Sequence, residues 1–362
     1  MRKLIFLTVS VFILIACNLS GAVAPATRAT PHSATASPRP APAGGLKTTR
    51  GIFIVTGHNV PFRPATFANP AVDGIVIRTF WSSVQPAQDR FDWSFIDSQV
   101  QAASASGKKV VLAVLPGAFT PAWALQGVQT GRFVVDYGFI QGQTVTLPVP
   151  WDAVYLARWL AFVQELGQRF DANPVVVNVP AAGPTSISEE MSLPNDPAAL
   201  AQWQKLGYTL PAYEGAWQQT LETYVKFFPT TQISLAFYPG LPLPDRAAAS
   251  ATRLDVAKFA FSRYGPHVAF QENGLSARKA DVSLGYDLVQ QYSGQTTTGF
   301  EMGTSATQKP DQMGGATAAA ALQASIDLGL KAGARFLEIY EPDALNPALQ
   351  TILANTHDQL TR

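Results

Sequence analysis

From residue 51 onward, short apolar runs rich in β-branched residues alternate with longer stretches whose apolar positions recur every three to four residues. The short runs cover 51–57, 74–80, 109–115, 175–179, 232–238, 267–271, 297–301 and 335–340. Such runs read as strands buried on both faces. The longer stretches, 95–106, 152–170, 213–228, 253–263 and 316–332, read as amphipathic helices. Strand–helix alternation predicts βαβ units and a parallel α/β sheet. Eight repeats predict its closure into one (β/α)8 TIM barrel. The other arrangement of such units is a doubly wound sheet. No GxGxxG or GxxxxGK(S/T) opens a helix, however, so its nucleotide chemistry is unsupported and no cofactor is expected.

Two connections are too long for tight barrel turns, 116–150 after the third strand and 180 to about 211 after the fourth. Both lie on the C-terminal face, where barrels of this kind carry their sites, and connections of this length suit the walls of a cleft.

The N-terminal part has a different character. Arg2-Lys3 precede an apolar run from Leu4 to Ile15, which is shorter than the ~20 residues a membrane-spanning helix needs. The run closes in Leu14-Ile15-Ala16-Cys17, which resembles a lipobox whose cysteine is lipidated, and this is the chain's one cysteine. The segment up to about Leu46 is rich in Pro, Ala, Thr and Ser and reads as an extended spacer. The expected organisation is a lipoprotein signal peptide at 1–16, a disordered linker at 17–46 and a barrel domain at 47–362. An exported protein held at the membrane by Cys17 follows.

Composition narrows the chemistry. With 47% apolar and 14% charged residues the chain as a whole is not disordered, and a mean hydropathy of +0.08 is too low for a polytopic membrane protein. A net charge of +1 supplies no electrostatic attraction for nucleic acid. A single cysteine excludes an intrachain disulfide and a thiolate zinc site. Four scattered histidines without HExxH spacing give no reason to expect a metal. A near-neutral chain with 10% aromatic residues points to an uncharged ligand such as a carbohydrate.

Polar and aromatic residues gather where the expected strands end: His58; Arg78 and Trp81; Trp123; Glu189 and Glu190; Tyr238; Gln271, Glu272 and Asn273; Glu301; Glu338 and Tyr340. The opposite ends, at Lys108-Lys109, Asn173 and Thr230-Thr231, carry no such cluster. Carboxyl groups in such a cluster suit general acid–base work. Adjacent Glu189 and Glu190 on a flat strand would point to opposite faces, so only one is expected in the cleft.

Ile77-Arg78-Thr79-Phe80-Trp81, Gln85-Pro86, Phe91-Asp92-Trp93, Ile96-Asp97, Gly107-Lys108-Lys109-Val110-Val111-Leu112 and Pro121-Ala122-Trp123 resemble the second and third βα units of clan A glycoside hydrolases. That clan includes the family 42 β-galactosidases and cellulase-like barrels, and the resemblance spans roughly 74–125. It implies a retaining hydrolase with an acid/base Glu after strand four and a nucleophile Glu at the end of strand seven. By position these are Glu190, or its neighbour Glu189, and Glu301. The clan carries Asn directly before its acid/base, where this chain has Ser188 or Glu189. Gly183-Pro184 followed by an acid, with Phe300-Glu301-Met302, also resembles the inverting β-amylases. In this reading Trp81, Trp123 and Tyr238 stack on sugar, and His58, Arg78 and Asn273 hydrogen-bond its hydroxyls. The competing readings are a non-catalytic glycan-binding barrel and a solute-binding lipoprotein of a transport system.

The lipobox generates the first test. Cys17→Ser is expected to release the protein from membrane fractions or leave its precursor unprocessed, as read by fractionation and intact mass.

Overall fold

The apolar runs become strands because each can bury both of its faces. A computed structural model describes residues 45–135, 137–237, 246–279 and 284–362. In it β1 (Gly51–Val55), β2 (Gly74–Phe80), β3 (Lys109–Leu115), β4 (Thr130–Val134), β5 (Thr144–Pro148), β6 (Val176–Pro180), β7 (Gln232–Phe237), β8 (Val268–Leu275), β9 (Thr298–Met302) and β10 (Phe336–Tyr340) follow in chain order. Eight of them close a parallel barrel in the order β1-β10-β9-β8-β7-β6-β3-β2, so this part of the chain is a single (β/α)8 barrel. The remaining two, β4 and β5, pair antiparallel as a hairpin inside the 116–150 connection, where the apolar pattern predicts no strand. The signal segment with Cys17, the linker up to residue 44, and Tyr238 lie outside the described residues. Among the described residues no helix is long and apolar enough to cross a membrane.

The helices form where capping and spacing agree. Ala153–Phe170 starts at Asp152, whose side chain accepts hydrogen bonds from the Val154 and Tyr155 amides. Its Tyr155, Trp159, Phe162, Val163, Leu166 and Phe170 fall on one buried face. Helices that the periodicity does not separate out include Pro197–Lys205, after β6, Leu284–Tyr292, after β8, and the C-terminal Gln350–Thr361. The C-terminal helix is fastened at the start of β1, where the Arg50 Nε donates to the Leu360 carbonyl at 2.7 Å.

Most of the apolar core lies between the strands and the surrounding helices. A second, smaller cluster of Phe53, Val55, Val76, Val111, Val177 and Phe336 fills the barrel itself. Because side chains alternate along a strand, the inward positions of β10 are Phe336, Glu338 and Tyr340, climbing from that plug towards the C-terminal mouth. Gly74 and Gly299 make room for it. A Cβ at Gly74 would stand 2.3 Å from the Phe53 ring, and one at Gly299 would stand 2.4 Å from the Phe336 ring. Gly299 is two residues before Glu301 on the same face of β9, so the packing of the plug sets the height of that carboxylate.

Gly299→Ala overpacks this layer and is expected to lower unfolding free energy by about 1–3 kcal/mol. Urea denaturation of the variant beside the parent protein measures it.

Candidate active site

Above the apolar plug the inward positions turn polar. Arg78, one step above Val76 on β2, is at the centre. Its Nη2 forms an ion pair with Glu301 Oε2, lies 3.4 Å from Glu189 Oε1 and 3.9 Å from Glu338 Oε2. The second oxygen of Glu301 accepts a hydrogen bond from the Tyr340 hydroxyl at 2.9 Å. Gln271 Nε2 donates to Glu338 Oε2 at 2.9 Å, and Asn273 Nδ2 donates to Glu190 Oε1 at 3.0 Å. Strand register sets these meetings, since Glu301 is paired with Asn273 on one side and with Glu338 on the other.

Glu189 and Glu190 come from the irregular segment that follows β6. Backbone hydrogen bonds hold it on both sides, from Met191 N to Ala236 O at 3.0 Å and from Ala118 N to Ser186 O at 2.8 Å. The Tyr137 hydroxyl, from the loop joining β4 to β5, hydrogen-bonds both Ser186 and Ser192 and so brackets the two acids. Both carboxyl groups reach the cleft. The expectation that only one could do so rests on strand geometry, and this segment is not a strand. One carboxylate oxygen from each of Glu189, Glu190 and Glu301 lies within 4.8 Å of the other two. Such a cluster could hold a cation, and the Arg78 guanidinium already supplies positive charge to Glu189 and Glu301.

Burial and the crowding of carboxyl groups shift the protonation of Glu189, Glu190 and Glu338. Burial pushes Glu189 up to about 7 against the pull of Arg78, with Glu190 and Glu301 reinforcing burial. Glu190 is raised by burial and by Glu301, and Glu338 is raised well above the carboxylate range for the same two reasons. Burial alone would lower Arg78, yet Glu301 and the other acids outweigh it and hold the guanidinium firmly charged. Tyr340 is raised, first by Glu301 and then by burial. His58 is lowered to about 3 by burial and by Arg78, so it is neutral near pH 7.

A cleft of about 370 Å³ opens over this cluster. Of the residues singled out in the sequence, His58, Arg78, Glu189, Glu190, Asn273, Glu301 and Tyr340 line it. Gln271 and Glu338 are buried beneath. Glu272 is not in the cleft: β8 runs on to Leu275, so residues 271–273 are strand, and Glu272 is in register with the outward-facing Phe300. Trp81 and Trp123 do not reach it either. β2 passes directly into the helical turn Trp81–Val84, which turns Trp81 into the outer layer at 0% exposure, edge-on to Trp159 and Trp123. The two indoles donate to Gln85, one to its side chain and one to its carbonyl. Residues missed in the sequence are Tyr137 and Phe139, both on the wall of the cleft. They lie in the long connection after β3, whose length was the one available signal.

Residues 66–225 match the glycoside hydrolase family 42 model, described as beta-galactosidase. No curated protein sequence matches the chain. Among solved structures, the catalytic domain of β-amylase from Paenibacillus polymyxa superposes with a TM-score of 0.57 at 11% identity, covering 86% of this chain and 99% of that one. A β-galactosidase from the psychrophilic Marinomonas ef1 gives 0.53 at 10% identity, over 86% of this chain and 59% of that one. Endo-glycoceramidase II from Rhodococcus sp. gives 0.51 at 15% identity, over 86% and 80%. At these identities the structural likeness shows a shared fold. With the family match, it supports an enzyme of the glycoside hydrolase class.

The raised Glu189 carboxyl has a consequence for stability. Between its ordinary value of 4.5 and about 7 the folded protein keeps a proton that the unfolded chain releases, so this group makes stability fall as pH rises through that window. Glu189→Gln is expected to flatten that fall, measured as the difference in urea midpoint between the two proteins at either end of the window. An unchanged pH dependence contradicts the assignment.

Proposed function

We propose that the chain hydrolyses O-glycosidic bonds of uncharged sugars with retention of configuration, using Glu301 as nucleophile and Glu190 as acid/base. The observation that carries this is the close approach of one oxygen of Glu190 and one of Glu301, within 4.8 Å. Retaining enzymes hold their carboxyl pair about 5–5.5 Å apart, whereas inverting ones need about 6.5–9.5 Å to admit a water. Glu301 suits attack because Arg78 and Tyr340 each fix one of its oxygens at the end of a strand. Glu190 suits proton transfer because its carboxyl is raised, first by burial, and Asn273 orients Oε1. Glu189 is the less apt acid, since its Oε1 is shared between Arg78 and Asn273 at 3.4 Å each.

In the first step Glu190 gives its proton to the glycosidic oxygen as Glu301 bonds to the anomeric carbon, and the alcohol leaves. In the second, Glu190 takes a proton from water, which displaces Glu301 and restores both groups. The amide that clan A enzymes carry directly before the acid is absent here. Asn273 brings an amide to the same carboxyl from β8. β-Galactosides are the first substrates to test, in view of the family match over 66–225. Action at the cell surface, tethered through Cys17, rests on the sequence of residues 1–46.

Glu301→Gln is expected to abolish turnover of every substrate. Glu190→Gln is expected to lower kcat/KM about 10²–10⁴-fold on glycosides with poor leaving groups and far less on activated aryl glycosides. Azide is expected to restore turnover in the second variant by capturing the glycosyl-enzyme. Full activity in Glu301→Gln overturns the assignment, and equal losses on all substrates without rescue overturn Glu190 as the acid.

A further inference from the structure

One wall of the cleft is built differently from its floor. His58, Phe80, Phe119 and Phe139 form a column of rings with small interplanar angles: Phe80 on Phe119 at 4.0 Å and 22°, His58 on Phe80 at 5.2 Å and 19°, and His58 against Phe139 at 4.3 Å and 31°. Phe139 is 52% exposed, the most open aromatic ring among the described residues, and it lines the cleft together with His58. Val60, 45% exposed, sits beside Gly57 at the same edge. None of these side chains carries charge near pH 7, and the three phenylalanines offer no hydrogen bond.

An exposed ring backed by others is costly to leave in water and well suited to receiving another flat apolar face. Each stacked pair contributes beyond the area it buries. The position of Phe139 relates it to the reaction. Neighbouring Tyr137 hydrogen-bonds the serines flanking Glu189 and Glu190, and a Cβ on Gly138 would meet Ile187 of the same segment at 2.8 Å. The ring therefore stands beside the acids that meet the glycosidic oxygen. The floor, by contrast, carries the carboxyl groups and Arg78.

We propose that Phe139, backed by His58, Phe80 and Phe119, is a stacking subsite for an apolar ring face that the substrate carries next to the sugar whose bond is cut. This rests on the hydrolase reading above. The ring face has two chemical sources, an aryl group or the C–H face of a neighbouring pyranose, and the test separates them. The aryl arm compares benzyl with methyl β-galactoside, whose leaving alcohols are of similar acidity. The sugar arm compares a methyl β-galactobioside with methyl β-galactoside.

For the arm that supplies the ring, the parent enzyme is expected to favour the ring-bearing substrate in kcat/KM. Phe139→Ala is expected to lower that preference roughly 3- to 10-fold. Phe139→Tyr is expected to retain the preference, while Phe139→Leu, apolar but without a ring, is expected to lose most of it. Unchanged ratios in both arms for Phe139→Ala overturn the subsite while leaving the hydrolase reading intact. If no glycoside is turned over at all, the hydrolase reading fails. Calorimetric titration with the same glycosides then decides the subsite alone: weaker binding of the ring-bearing ligand by Phe139→Ala supports it, and equal binding overturns it.

Discussion

One buried guanidinium makes the upper half of this barrel possible. Glu189, Glu301 and Glu338 each bring a carboxyl group to Arg78 inside a cavity closed by strands. Removing carboxylates from water costs several kcal/mol apiece, and only a charged partner at short range with hydrogen bonds to the remaining lone pairs offsets it. A guanidinium suits the place because it stays charged when buried and presents several donors in a fixed plane, whereas a buried ammonium loses its proton readily. One cation cannot compensate every neighbouring acid. Burial first, and the excess of acids second, raise the carboxyl groups of Glu189, Glu190 and Glu338, which leaves protons held at the cleft.

The site is held from below and from the sides. From below, the plug of Phe53, Val76, Val111 and Phe336 fixes the heights of Arg78, Glu301 and Glu338 through the two-residue step of their strands. Beyond β9, buried Asp343 accepts from the Ser305 hydroxyl at 2.9 Å, from the Thr307 amide at 2.6 Å and from the Ala306 amide at 2.9 Å, which clamps the loop leaving Glu301. On the other side, backbone bonds to Ala118 and Ala236 and the Tyr137 hydroxyl fasten the segment bearing Glu189 and Glu190. The nucleophile candidate thus sits on a rigid strand and the acid candidates on a fastened loop, a division that suits one group that must approach a carbon and another that must reach an oxygen.

The strand pattern was legible in the sequence because burial on both faces demands unbroken apolar runs, and eight such runs interleaved with helical periodicity leave few ways to close. That Arg78, Glu301 and Tyr340 face the cleft was legible for a related reason. A charged or hydroxylated side chain at the end of a buried run has nowhere to go but the mouth of the barrel. What lay beyond the sequence depended on orientation. Gln271, Glu272 and Asn273 are indistinguishable as a polar triplet until β8 is known to continue to Leu275, and alternation then sends Glu272 outward. Trp81 follows Arg78 by three residues, yet the chain leaves the strand at Phe80 and the indole is turned into the outer core. Glu189 and Glu190 share the cleft because their segment is irregular, and local sequence carries no periodic signal for an irregular path. The aromatic wall is assembled from the turn after β1, the end of β2 and two distant stretches of the connection after β3, so proximity in space rather than in sequence creates it. The sequence by itself determined the architecture and which strand ends carry chemistry, through burial and periodicity. Only the tertiary structure decided which of those side chains face one another, because that depends on strand register and on loop paths closed by contacts distant in the chain.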